Sequence, residues 1–273
     1  MLFRSATSTL YFAQPGWSTR TRFCAPSPSI YGGIALNIIL VVSDTLRRDH
    51  LGCYGNEWIH TPNLDKFATE SFLFENAYTA SFPTIPNRCD LVTGRFTFTE
   101  LDWGPLPRQY PVLSEVLGQT DYTTMLICDT PHLLQNATGY DRGFSGFEWI
   151  RGQENDRWRT FPRHPKLPAP GEKLRQPDII PPQFMRNNAH RQGERDHFCA
   201  QSMFKAGEWL EENKDEGPFF LYVDTFDPHE PWDPPDSYLR MYEPEGSYTG
   251  DNIVYPRYTD ADFYTPAEMR HIR

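Results

Sequence analysis

Three short apolar runs set the frame of this chain. Residues 36–43 read Leu-Asn-Ile-Ile-Leu-Val-Val-Ser, residues 122–128 Tyr-Thr-Thr-Met-Leu-Ile-Cys, and residues 219–225 Phe-Phe-Leu-Tyr-Val-Asp-Thr. Each is rich in β-branched, aliphatic or aromatic side chains and is strand-length rather than helix-length. Such runs suit strands covered on both faces, as in a parallel sheet with helices on either side. Helical patterns fall between them. Leu64, Phe67 and Ala68 repeat at helical spacing after Thr61 as cap and Pro62 in the first turn. Residues 112–117 are closed by Gly118, and Phe204, Trp209 and Leu210 form a stripe within residues 196–213. The alternation predicts an α/β fold with a mostly parallel central sheet flanked by helices. The sheet should hold residues 37–43, 123–128 and 219–225, with their carboxyl ends on one face. Residues 72–78 read as a further short strand. Residues 151–195, rich in proline and arginine and without a clear period, read as a long surface excursion or a substrate-side loop, not a separate domain. The chain ends in a helical pattern opened by Thr265-Pro266.

Polar residues follow each run at the place where parallel sheets gather ligands, outside the carboxyl ends of their strands. Asp44-Thr45 follows the first, Asp129-Thr130-Pro131-His132 the second, and Asp227-Pro228-His229-Glu230-Pro231 the third. Residues 81–95 add a loop that runs into a helix. Pro86 suits its first turn and Gly94 its end. Thr84 and Arg88, four positions apart, rise on one face beside the positive helix end, a point suited to a tetrahedral oxyanion. On local physics alone, a capped helix with a surface arginine accounts for the same pair. His229 can carry a positive charge near neutral pH, so it can bind an oxyanion or donate a proton.

The formal net charge of −10 argues against a general nucleic-acid binder. It leaves room for an anionic small substrate, because a few arginines and a metal can dominate a pocket. The five cysteines form no CxxC pair, which argues against a zinc ribbon, and their odd count and wide spacing do not suggest a disulfide framework. Cys128 reads as a small core residue, and Cys89, one position past Arg88, should point away from the site. No run has the length of a membrane span. Residues 1–33 carry Arg4, Arg20 and Arg22, and the first acid of the chain is Asp44. That composition resembles an organelle transit peptide without the apolar centre of a secretory signal; translation from upstream of the true start gives the same pattern. Residues 1–34 are therefore expected to be a poorly structured extension and residues 35–273 an α/β domain. The compartment stays open, with the cytoplasm favoured over secretion, and the oligomeric state is not set by the sequence.

Thr84-Ile85-Pro86-Asn87-Arg88, continued by Leu91, Thr93, Gly94 and Arg95, resembles the signature of the sulfatase family, within the alkaline phosphatase superfamily. That signature is Cys or Ser, any residue, Pro, any residue, Arg, then a helix ending Thr-Gly-Arg. Residues 37–55 resemble the family's opening strand: Asp44-Thr45 stands where the family has Asp-Asp, and Leu51-Gly52-Cys53-Tyr54-Gly55 follows. Thr61-Pro62-Asn63-Leu64-Asp65 matches another family segment, to which a structural role is assigned. His132 falls where many sulfatases have Gly-Lys-Trp-His, with Asp129 or Thr130 at the place of the lysine. Pro228-His229-Glu230-Pro231 resembles the family's Pro-His-x-Pro turn. The resemblance covers about residues 36–273 but only the amino-terminal part of the family domain. The late Asp-His-Gly or equivalent is absent, since Asp49-His50 and Asp196-His197 do not follow buried strands. A missing carboxyl-terminal portion is therefore expected.

The resemblance implies a metal-dependent hydrolase of sulfate esters, acting on a small-molecule or glycan ester. Asp44 takes the first metal position, Thr45 the second, and Thr84 touches the metal and attacks. Arg88 stabilises charge on the transferring group, His229 binds the ester or protonates the leaving oxygen, and His132 is a secondary anion contact. Calcium is the expected ion, or manganese or zinc for a phosphodiesterase. Threonine cannot become formylglycine, so none is expected. Related phosphodiesterases and phosphoglycerol transferases use a plain threonine. That keeps open a phosphodiesterase, phosphonate hydrolase or phosphoglycerol transferase acting on a phosphate ester. The lost lysine and late ligands keep open a non-catalytic binding module. Little turnover is expected from this chain alone.

Overall fold

The computed structural model describes residues 36–273; the extension expected over residues 1–34 lies outside them. The described chain belongs to two compact units, one containing Arg47–Ala77 and the other Asn37–Leu46 with Tyr78–Arg273.

In the smaller unit, helix α1 (Pro62–Thr69) follows two 3₁₀ turns, Arg48–His50 and Gly52–Tyr54. Asp65 Oδ1 accepts from the Cys53 N–H at 2.7 Å and from the Thr61 hydroxyl at 3.0 Å. The Thr61 hydroxyl in turn accepts from the Gly52 N–H at 2.9 Å. Thr61 therefore makes no side-chain cap on α1, contrary to expectation, because its oxygen is taken by the preceding turn. Gly52 is required here, since a Cβ on it would lie 2.4 Å from Asp65 Oδ2. The strand expected over residues 72–78 is absent. Two of its carbonyls accept from side chains: Tyr54 Oη donates to Phe74 O at 2.7 Å, and Arg48 donates to Glu75 O.

The larger unit is built on a four-stranded sheet in the order β1-β4-β2-β3, with every pairing parallel. The strands are β1 (Ile38–Ser43), β2 (Thr123–Cys128), β3 (Gly146–Trp149) and β4 (Phe219–Thr225). The three apolar runs thus form three of the strands, and all seven residues of β4 are buried. The short β3 was not expected; it has four residues, and Phe147 in it is half exposed.

Side-chain alternation divides the core into two layers. Phe220, Tyr222, Leu126, Cys128 and Leu40 face one side, against Ile85 and Cys89 of α2 (Thr84–Thr93). Leu117 of α3 (Leu113–Gly118) and Leu133 of α4 (Pro131–Leu134) complete that layer. Phe219, Leu221, Val223 and Ile127 face the other side. The residues before the next long helix include α5 (Ile180–Asn188), and that helix, α6 (Phe198–Asn213), covers this face through Ala206, Trp209 and Leu210. Cys128 is a core residue, as expected, and Cys89 is buried in the same layer. β1 is not buried on both faces: it lies at the sheet edge, and Ile39 and Val41 are 46% and 48% exposed among the described residues.

Residues 151–195 are not simply a surface excursion. Phe184 of α5 packs on Ile150 and Phe198, and Ile180 packs on Val254 and Tyr255. Asn187 Nδ2 donates to the carbonyls of Gly152 and Asp156, both at 2.8 Å. α7 (Asp236–Tyr242) and α8 (Pro266–Ile272) follow β4, and α8 is opened by a Thr265–Glu268 capping box. Among the described residues, no helix is long and apolar enough to cross a membrane.

Leu221 sits at the centre of β4 with no exposed surface. Leu221→Ala is expected to lower unfolding stability by about 2–5 kcal/mol, measured by urea denaturation. A loss below about 1 kcal/mol would show that the sheet face under α6 can collapse around the gap.

Candidate active site

The four loops that carry the candidate residues all leave the carboxyl edge of the sheet or enter α2. β1 ends at Asp44, which is 5% exposed and whose N–H donates to Thr225 O at 2.9 Å. α2 starts at Thr84 and ends where Gly94 adopts φ 66°, a conformation that costs glycine nothing. Thr84 and Arg88 are both buried on this helix.

Arg88 binds two carboxylates. Its Nη2 donates to Asp44 Oδ2 at 3.1 Å, and its Nε and Nη2 form a fork on Asp224 at 2.7 and 3.2 Å. Nη1 donates to Asn87 Oδ1 at 3.1 Å. Asp224 also accepts from Tyr222 Oη at 2.5 Å and from the Thr130 hydroxyl at 2.6 Å. Burial by itself would lower the Arg88 pKa, but the charge of Asp224, with Tyr222 and Asp44, drives it upward, so the guanidinium stays charged. Burial and then the charge of Asp224 push the Tyr222 phenol well above its ordinary value, so it remains a donor. The sequence reading brought Asp44 and Arg88 together and missed Asp224. Its signal was present as an acid inside an otherwise apolar strand, which needs a cationic partner when buried.

The lysine place is filled by no cation. Thr130 donates to Asp224, and Asp129 turns to the opposite face, where its carboxylate accepts from the Phe226 N–H and the Ser202 hydroxyl, both at 2.6 Å. Burial, then the like charge of Asp227, pushes the Asp129 carboxyl up to about 7, against those two hydrogen bonds.

Phe226 joins the two histidines. His229 stacks on its ring at 4.1 Å between centroids, and His132 meets it edge-on at 5.5 Å. His229 Nδ1 lies 2.7 Å from the Glu230 carbonyl oxygen, which can only accept, so Nδ1 carries the proton and Nε2 is left for a ligand. His132 Nε2 lies 3.0 Å from Glu154 Oε2, a close contact without hydrogen-bond alignment. Glu154 is buried, holds φ 44°, and its Oε1 accepts from Tyr255 Oη at 3.1 Å. Glu154 was missed because residues 151–195 lack periodicity.

The expected metal shell does not fit the donors present. Asp44 faces a guanidinium, and Thr45 is exposed with its backbone at φ 54°, a left-handed conformation that strains a β-branched residue. Among the described residues, no group of three or more His, Cys, Asp or Glu side chains could hold a metal ion.

A sequence model of the sulfatase family matches residues 36–266. The chain belongs to the sulfatase family. Its sulfatase relatives include the arylsulfatase of Clostridium perfringens (strain 13 / Type A), 29% identical over 236 residues that cover 77% of this chain and 46% of that protein. Iduronate 2-sulfatase of Homo sapiens is 27% identical over 225 residues, covering 76% of this chain and 38% of its own length. Among solved structures, the phosphonate monoester hydrolase of Agrobacterium radiobacter matches with a TM-score of 0.57 at 22% identity, over 78% of this chain and 45% of that one. The last likeness concerns the fold, which is that of alkaline-phosphatase-like sulfatases. The chain spans less than half the length of these three relatives. Sulfatases as a family depend on a metal ion.

Arg88→Met is expected to lower stability by about 3–5 kcal/mol, because it strands two buried carboxylates. Chemical denaturation at neutral pH measures this; a loss under about 1 kcal/mol would mean that Asp44 and Asp224 find water or protons easily. Asp129 gives a pH signature. Its carboxyl is raised in the fold, so the fold binds the extra proton, and the stability this confers is full below about pH 4 and lost as pH rises to about 7. Asp129→Asn is therefore expected to flatten that fall. Parallel stability curves for both proteins between pH 4 and 7 would contradict the assignment.

Proposed function

We propose that this chain carries the nucleophile and the anion-binding end of a sulfuric ester hydrolase acting on sulfate esters of small molecules or glycans. One observation carries the reading. Thr84 and Arg88 are buried four residues apart at the start of α2, and Arg88 is docked on Asp44 at the end of β1. The hydroxyl therefore lies at a helix start, where free N–H groups and the dipole favour developing negative charge.

In the proposed reaction Thr84 Oγ1 attacks sulfur. The Thr84 Oγ1–S bond forms as the hydroxyl proton passes to a water molecule, and the bond from sulfur to the leaving alcohol oxygen breaks. His229 acts in its doubly protonated form: Nδ1 keeps its proton on the Glu230 carbonyl, and the proton on Nε2 goes to that oxygen. Water then hydrolyses the sulfated threonine and restores the hydroxyl. Arg88 fixes Asp44 and Asp224 and adds positive charge beside the transferring group. His132, held near Glu154, is an anion contact at the edge. Calcium is the ion we propose for a member of this family, but the described donors do not complete its shell. The steps above therefore run through protein groups alone, and turnover is expected to be slow.

Threonine in place of a formylglycine precursor favours a second reading, a phosphate diester or phosphonate as substrate. The test uses the whole chain with matched aryl sulfate and aryl phosphodiester substrates, followed by release of the phenol and by mass analysis of the Thr84 peptide. A sulfated Thr84 peptide is expected, with loss of the adduct and at least about a hundredfold loss of phenol release in Thr84→Ala. Thr84→Ser should keep both in part. Undiminished release by Thr84→Ala would remove Thr84 as nucleophile, and a phosphorylated peptide without a sulfated one would favour the second reading.

A further inference from the structure

An open cleft of about 590 Å³ lies between two segments, Gly171–Pro177 and Arg257–Tyr258. That is within the range of small-ligand sites. Its floor is fixed. Leu174 and Pro256 form an antiparallel bridge, and the Arg175 N–H donates to Tyr255 O at 2.9 Å. Tyr264 Oη accepts from the Arg257 N–H at 2.7 Å and donates to Lys173 O at 2.8 Å. Gln176 holds φ 47° in the cleft wall, the kind of strain that persists where surrounding structure imposes it.

Two guanidinium groups and one tyrosine give the cleft its chemistry. Arg175 lies 3.8 Å over the Tyr258 ring and sends Nη1 to Glu230 Oε1 at 3.2 Å. Glu230 also accepts from Tyr258 Oη, so its charge is taken up beneath the cleft. Arg257 is exposed; its Nη1 donates to the main-chain oxygen of Glu172 at 3.3 Å, not to a carboxylate. Both arginines keep donors in a fork that matches a planar carboxylate. Tyr258 is 69% exposed, an aromatic surface of the sort that lines ligand sites. The Glu172 carboxylate at the rim is the opposing charge.

The cleft is tied to both histidines of the candidate site. From His132 the contacts run to Glu154, to Tyr255 and to Arg175, whose guanidinium lies 5.5 Å from the Tyr255 ring centroid. From Arg175 they continue through Glu230 to His229, and through Phe226 back to His132. Glu230 is thus the one side chain between Arg175 of the cleft and His229 on this path.

We infer that the cleft bounded by Arg175, Arg257 and Tyr258 is a subsite for a carboxylate-bearing sugar unit beside the unit that carries the ester. This rests on the glycan-ester reading above. It makes the chain selective for acidic saccharides, with Tyr258 contacting the sugar face and the arginines its carboxylate.

The test needs binding only. The whole chain is titrated with methyl β-D-glucuronide and with methyl β-D-glucoside, a pair that differs by one carboxylate, and followed by ligand-observed NMR. The glucuronide should bind about fivefold more tightly, the scale of a half-exposed ion pair. Arg257→Gln should erase the difference, Arg257→Lys should keep part of it, and Glu172→Gln should widen it. Tyr258→Ala should weaken both sugars alike. Equal binding of the two sugars, or a preference untouched in Arg257→Gln, overturns the subsite. Thr84→Ala is expected to keep the preference, so a failed ester hydrolase reading and a failed subsite give different results.

Discussion

One buried guanidinium ties together the carboxyl edge of the sheet and the start of α2. Arg88 reaches from α2 to Asp44 at the end of β1 and to Asp224 in β4, so it crosses two neighbouring strands and one helix. Three charges far from water are stable only if each is paired and hydrogen-bonded. Tyr222 and Thr130 supply the remaining hydrogen bonds to Asp224, and Asn87 supplies one acceptor for Arg88. The position of Thr84 follows from this lock. It is the first residue of the helix that Arg88 anchors, so its backbone is held against the sheet.

Such a lock also explains why the acid expected to hold a metal does not stand ready for one among the described residues. Asp44 has one carboxylate and a cation already on it. The neighbouring position has an exposed Thr45 in a strained conformation, a weak donor for a hard cation. Among the described residues the charges of this edge are thus spent on one another, and little is left there to hold a divalent ion.

Much of the fold was legible because parallel strands buried by helices must be apolar almost throughout. β2 and β4 were read at nearly their true bounds for that reason. β1 was read in place but as more buried than it is, since composition does not tell a central strand from an edge strand. Residues 72–78 had strand-like residues and no strand to pair with, while residues 151–195 had helix α5 hidden by two prolines at its start, Pro181 and Pro182. In the site, Asp44, Thr84, Arg88, His132 and His229 stood out by position after a strand or at a helix start. Asp224 and Glu154 did not: one is hidden inside a strand and the other lies in an aperiodic stretch, and only tertiary contacts give them partners.

The strand order has a consequence for how the chain comes to be folded at all. Ser43 pairs in register with Thr225, and β4 separates β1 from β2 in the sheet. The two strands made first cannot join until the central one has been made. At ordinary ribosomal speeds β1 waits on the order of 10–40 s for its neighbour. Through that interval the apolar residues Ile38 to Val42 have no sheet to enter, which is when an unpaired strand is most exposed to association with another chain.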